Sequence, residues 1–90
     1  MTVYVDTMRA RYGRLVLCHM IADSDDELHA MADRIGVARK WFQAQASTPH
    51  YDICLAKKAL ALKHGAVELS RRDMGRKLRD FRQKREKSAE

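Results

Sequence analysis

Seven consecutive residues, Leu15-Val16-Leu17-Cys18-His19-Met20-Ile21, are apolar apart from one cysteine and one imidazole. A run this short, with no helical period, fits a strand buried on both faces, which places it centrally in a sheet. Strand alternation puts Leu15, Leu17, His19 and Ile21 on one face and Val16, Cys18 and Met20 on the other. A helix start follows at once. Ser24 with Glu27 forms a capping-box pattern, and Asp25 and Asp26 suit the positive end of a helix dipole. Leu28, Met31, Ala32 and Ile35 make one apolar stripe, and Gly36 is a natural stop. A central strand that turns directly into an amphipathic helix points to a layered α/β fold.

The remaining segments fill out that order. Thr2 to Val5 is β-branched and aromatic, a short strand ending at Asp6. Thr7 to Gly13 reads as a loop or turn. Val37 to Gln43 settles no period, and Gln43 to Pro49 reads as a loop. Tyr51 to Leu55 is either a short strand or the entry to a helix over Ala56 to His64, which ends at Gly65. Ala66 to Leu69 is a short strand. Ser70 caps a last helix, with Asp73 at the capping-box position and Met74, Leu78 and Phe81 facing inward. The expected order is β-β-α-(β)-α-β-α: a single compact α/β domain over 1–81, its small mixed sheet covered by about three helices. Beyond Phe81 the apolar residues cease, and 82–90 reads as a basic, frayed tail.

Ninety residues are one domain at most. A core this small makes a homodimer an expected source of added stability. No stretch approaches the roughly 20 apolar residues of a membrane span, and the opening residues lack the basic and apolar regions of a signal peptide. The expected compartment is the cytoplasm, with no membrane partner. Cys18 and Cys54 lie in apolar runs without CxxC spacing, the usual setting of buried thiols in a reducing compartment. Charge is uneven. Residues 71–90 carry nine Lys/Arg against four acids, whereas residues 1–70 carry nine against eight. A cationic end beside a nearly neutral body points to an anionic partner: a nucleotide, nucleic acid or an acidic protein surface.

The candidate site rests on histidines set beside carboxylates. Asp6 ends the first strand, and Asp23 follows the second at the start of the first helix. His19 shares a face with Asp23 if the strand continues that far, and His50 shares one with Asp52 if that segment is extended, Tyr51 facing away. Each residue also has a structural explanation. His19 can be a neutral core histidine, His29 a helix-surface residue paired with Asp33, and His50-Tyr51-Asp52 a turn that caps the next helix. His64 before Gly65 is a favourable charge at a helix end. Trp41-Phe42 reads as core before it reads as a base-stacking platform.

Several chemistries have no motif. GxGxxG, P-loop and HExxH are absent, and the cysteines lack zinc-finger spacing. Cys18 and His19 point to opposite strand faces, a poor geometry for a nucleophile pair.

In combination these words resemble a known family. Met1-Thr2-Val3-Tyr4-Val5-Asp6, Tyr12-Gly13, Cys18-His19-Met20-x-x-Asp23, Glu27-Leu28-His29-x-Met31-Ala32, Gly36 with Arg39, His50-Tyr51-Asp52 and Gly65-Ala66-Val67 are similar to the small bacterial and phage domain of unknown function 4031. The likeness covers roughly residues 1–80. It brings no biochemical activity with it. It implies that His19, Asp23, His29, His50, Tyr51 and Asp52 act as one set, and a phage origin would admit a host-directed role such as sequestering part of a defence system.

Three functions compete. The first is a binding module in which Arg9, Arg11, Arg14 and Arg39, with Asp6, Tyr12 and the histidine set, line a pocket for a phosphate-bearing ligand. The second is a metal-assisted phosphoester hydrolase. Two or three of His19, His29 and His50, with Asp23 or Asp52, would hold a divalent ion as its cofactor. The third is an inhibitor or structural role through the basic last helix. Binding ranks first, because each histidine is separately explicable and the carboxylates form no recognised metal signature.

Overall fold

A computed structural model describes residues 2–46 and 48–88, with no account of the side chains of 85–88. Met1, Ser47, Ala89 and Glu90 lie outside the described residues, and with them one position of the expected loop and the end of the expected tail. The chain forms six strands and three α-helices among those residues: β1 (Val3–Asp6), β2 (Ala10–Tyr12), β3 (Leu15–Ala22), α1 (Asp25–Ile35), β4 (Phe42–Gln43), β5 (His50–Cys54), α2 (Leu55–Lys63), β6 (Val67–Leu69) and α3 (Arg71–Ser88). This is the expected mixed α/β layer. None of the described helices is long and apolar enough to cross a membrane.

The strands lie in the order β4-β5-β3-β1-β6. The long apolar strand β3 is central as expected, antiparallel to β1 on one side and to β5 on the other. β6 runs parallel to β1, so the chain returns from β5 through α2 across the sheet, the crossover that parallel strands require.

Two short strands lie where none was expected, one in the segment read as loop or turn and one in the segment of unsettled period. Residues 10–12 are not loop but β2, which pairs with the first half of β3 from Ala10↔Leu17 to Tyr12↔Leu15. The two residues left at the tip are Gly13 and Arg14, and Gly13 has φ +61°, the left-handed conformation that a tight type II′ hairpin places at its first central position. β4 pairs with β5 through Phe42↔Tyr51 and Gln43↔His50, preceded by a 3₁₀ turn over Arg39–Trp41. Its two-residue length explains why no period was visible there.

The helix ends follow their sequence signals. Ser24 Oγ accepts the Glu27 N–H at 3.2 Å, the N-cap half of the expected capping box. Its hydroxyl donates to Glu27 Oε1 at 3.1 Å, so the carboxylate meets the serine side chain and not its backbone N–H. Gly36, at φ +81°, closes α1 in the left-handed region. Ser70 Oγ likewise accepts the Asp73 N–H. α3 stays helical through Ser88, past the point where its apolar stripe ends, because Arg82–Ser88 contains good helix formers and no breaker.

The sheet has two unlike faces. On one, Val3, Val5, Cys18, Met20, Tyr51 and Ile53 pack against Leu28, Met31, Ala32 and Ile35 of α1 and Ala61 of α2. Burying each large aliphatic side chain there stabilises the fold by about 1.5–3 kcal/mol. On the other face, α3 lies over β1 and β6, and Ile21 and Met74 are buried outside the main core. The rest of that second face carries the polar residues of β3 and β5.

Candidate metal centre

The site begins with a break in a β-ladder. β1 ends its pairing with β3 at Val5↔Met20, and β2 resumes at Ala10↔Leu17. Four residues on one side, 6–9, oppose only His19 and Cys18 on the other. Such a bulge leaves ladder groups unmatched. Here Asp6 fills the gap: its Oδ1 accepts the backbone N–H of His19 at 3.0 Å and that of Met8 at 3.3 Å. A buried carboxylate is tolerated because it is hydrogen-bonded.

The other Asp6 oxygen faces the imidazole of the same residue, with Oδ2 2.9 Å from His19 Nδ1. Burial alone would raise the Asp6 pKa, but the side-chain and backbone hydrogen bonds from His19 outweigh it and hold the carboxyl below its usual range. An ionised Asp6 only accepts, so the proton sits on His19 Nδ1 and Nε2 is directed into the site.

His50 is held in the same sense. Its Nδ1 lies 2.9 Å from the Thr48 carbonyl oxygen, which only accepts, so Nδ1 donates and Nε2 is the atom left facing the site. β5 is a strand, as one of the two expected readings had it, and its alternation puts His50 and Asp52 on the polar face and Tyr51 and Ile53 in the core. The register His19↔Asp52 then sets the carboxylate beside both rings. Asp52 Oδ1 is 3.4 Å from His50 Nε2 and 3.8 Å from His19 Nε2, and the two rings meet edge to face at 5.1 Å between centroids. One ligand atom each from His19, His50 and Asp52 falls within a span of 4.8 Å. Two ligands about 2.0 Å from a tetrahedral ion stand about 3.3 Å apart, so His50 and Asp52 already have that spacing and His19 would have to close in on them.

The local field favours positive charge. The Asp6 hydrogen bond, opposed by burial and helped by the charges of Asp6 and Asp52, raises the His19 pKa. The same carboxylates would attract a cation placed between the rings. Over the imidazoles lies a cavity of about 120 Å³ whose walls include Ile21, Thr48, Leu78 and Arg82.

The other candidates lie elsewhere. His29 does not join His19 and His50: it belongs to α1 on the opposite face, where its Nδ1 is 2.7 Å from the Tyr51 hydroxyl and its ring packs on Phe42. Tyr51 is wholly buried in the core, and burial raises its hydroxyl pKa. Asp33 pairs with Arg39 Nη2 at 2.9 Å rather than with His29. Asp23 lies past the end of β3 and binds the Thr2 N–H at 2.9 Å and the Tyr4 hydroxyl at 3.3 Å, tying down the start of β1. Tyr12 and Arg14 are exposed on the β2–β3 hairpin. Arg9, Arg11, Arg14 and Arg39 are not among the residues lining the cavity over the imidazoles; Arg82 is. Arg82 was legible as the fourth-residue continuation of Met74 and Leu78 on the inner face of α3. Trp41 is exposed rather than core. Burial, with Asp6 adding to it, pushes the Cys18 thiol up to about 11, consistent with the structural reading of that cysteine.

No curated protein and no solved structure matches this chain. A family model described as "Protein of unknown function (DUF4031)" matches residues 3–81. By that match, which spans nearly all of the sheet and its helices, the chain belongs to the DUF4031 family.

Proposed function

We propose that the protein binds a divalent transition-metal ion through His19 Nε2, His50 Nε2 and Asp52 Oδ1, and that the site hydrolyses a phosphoester. One observation carries this reading: both imidazoles have their Nδ1 engaged by an acceptor, Asp6 or the Thr48 carbonyl, which turns both Nε2 atoms toward one carboxylate oxygen. Outer partners that fix a ligating histidine's tautomer and orientation are a recurrent feature of metal sites. Two nitrogens and one oxygen suit zinc, manganese or ferrous iron, and three protein ligands leave a position open for water.

An ion held by His19, His50 and Asp52 would lower the pKa of its water to about 7 and so supply hydroxide at neutral pH. Hydrolysis would join a water-derived oxygen to phosphorus as the bond to the leaving group breaks, the departing oxygen taking a proton from solvent. Arg82, at the wall of the cavity, would meet the remaining phosphoryl oxygens. The alternative of a metal-free phosphate pocket built from Arg9, Arg11, Arg14 and Arg39 has less support, because those arginines do not line this cavity.

The test is metal analysis of protein purified without a histidine tag. Wild type should take up one equivalent of zinc or manganese and cleave bis(p-nitrophenyl) phosphate. His50→Ala and Asp52→Asn should lose both while remaining folded by circular dichroism. Metal uptake that is weak and unchanged by either substitution would overturn the reading.

A further inference from the structure

We propose that the cleft on the far side of Asp52 recognises the non-reacting part of the substrate, and that this part is a flat aromatic or heteroaromatic ring. The inference rests on the metal reading only in naming what happens next door; the cleft has its own evidence. It encloses about 520 Å³ and is lined by Tyr12, Leu15, Leu17, Trp41, Asp52 and Lys57, among others. That volume lies within the range of small-molecule sites, which are mostly apolar with a few placed polar groups. The cavity over the imidazoles, at about 120 Å³, has room for a phosphoryl group and little more. Asp52 belongs to the histidine cluster and also lines the cleft, so the cleft borders the would-be ligands at that side chain.

Three of the cleft's residues are anomalous as surface. Tyr12 is 72% exposed, Trp41 57% and Leu15 50%. They come from three segments, the end of β2, the 3₁₀ turn and the start of β3. Convergent exposed apolar side chains mark binding sites more often than chance surface. Two of the three are aromatic, and ring-on-ring packing favours a flat, unsaturated occupant over a branched aliphatic one. Charge selects further. Lys57 lines the cleft and the Lys40 ammonium lies 5.2 Å from the Trp41 ring centroid, two cations against the one carboxylate of Asp52, so the balance of charge favours a ring that carries an anionic group. An aryl phosphate and a nucleoside monophosphate both have this chemistry. A protein partner fits less well, since so small a patch falls short of the roughly 1,200 Å² that a stable interface buries.

Trp41 is the chain's only tryptophan, so its fluorescence reports on the cleft alone. Metal-loaded protein would be titrated with phenyl phosphate, adenosine monophosphate and inorganic phosphate. Saturable quenching by either ring compound, and none by inorganic phosphate, supports the proposal; which of the two binds more tightly identifies the ring. Leu15→Ser and Tyr12→Ser, both at exposed positions, should weaken that binding about 10-fold or more while metal uptake stays stoichiometric. Unchanged ring affinity in both variants would overturn the proposal, as would a Trp41 signal indifferent to every ring compound in a protein that still binds metal. Burial of Trp41 in a concentration-dependent dimer, seen by light scattering and abolished by Leu15→Lys, would also overturn it. If the protein takes up no metal yet adenosine monophosphate quenches Trp41 saturably, the cleft stands and the hydrolytic reading falls.

Discussion

The Asp6 carboxylate holds His19 at two points, the backbone N–H at 3.0 Å and ring Nδ1 at 2.9 Å. One side chain therefore repairs the broken ladder and sets the imidazole's tautomer. Asp6→Asn preserves the shape but brings an amide that can present N–H where only an acceptor fits. We expect the substitution to lower metal affinity about 10–100-fold, the usual cost of losing an outer partner of a ligating histidine. Calorimetric titration of wild type and variant with zinc checks it; equal affinities would mean the ring is oriented by packing alone.

The same pair gives the metal-free protein a defined pH dependence. His19 has its pKa raised above its ordinary 6.5, so its contribution is fully present below pH 6.5 and is lost as pH rises through the folded value. Asp6 has its pKa lowered below 3.8, so its contribution is present above pH 3.8 and is lost as pH falls through the folded value. The melting-temperature gap between wild type and Asp6→Asn, both stripped of metal, should thus be widest from about pH 4 to pH 6.5 and narrow on either side. A gap that does not vary with pH would show that the ion pair is not its source.

Tyr51→Phe should separate the two faces of β5. Removing the hydroxyl deprives His29 Nδ1 of a partner at 2.7 Å in a half-buried setting, a loss of about 1 kcal/mol. Metal affinity should not change, because Tyr51 points away from His50 and Asp52. Urea unfolding gives the first quantity and calorimetry the second.

Ser24→Ala removes the N-cap acceptor for the Glu27 N–H and the hydroxyl that meets the Glu27 carboxylate. The expected cost is about 1 kcal/mol. In a domain of this size that lowers the melting temperature by about 4–8 °C, readable by circular dichroism at 222 nm.

How far the sequence foretold this molecule differs by element. β3 was legible because a seven-residue run interrupted only by a cysteine and an imidazole leaves few alternatives, and α1 because cap, stripe and stop all agreed. β2 was hidden: Ala10-Arg11-Tyr12 is exposed throughout, so it has no burial alternation to betray a strand, and only Gly13 hinted at the hairpin. At the site, the pairing of His50 with Asp52 followed from strand alternation, and His19 joined them through register, which a single chain does not display. His29 was grouped with them as a histidine near carboxylates and by resemblance, yet its helix packs on the other face. Asp6 was placed at the end of its strand, but its hold on His19 depends on a bulge that local composition does not encode. Arg82 was counted with the tail's charge although its spacing from Leu78 already put it on the inward side of α3.

The alternation along β5 has one last consequence. Tyr51 and Ile53 anchor the hydrophobic interior while His50 and Asp52 look the other way. Sliding this strand by a single position would drive an imidazole and a carboxylate into oil and expose a tyrosine and an isoleucine to water. Selection for a stable interior therefore also guards the chemistry on the reverse side. Variants that loosen the interior should scatter the would-be ligands before they unfold the chain.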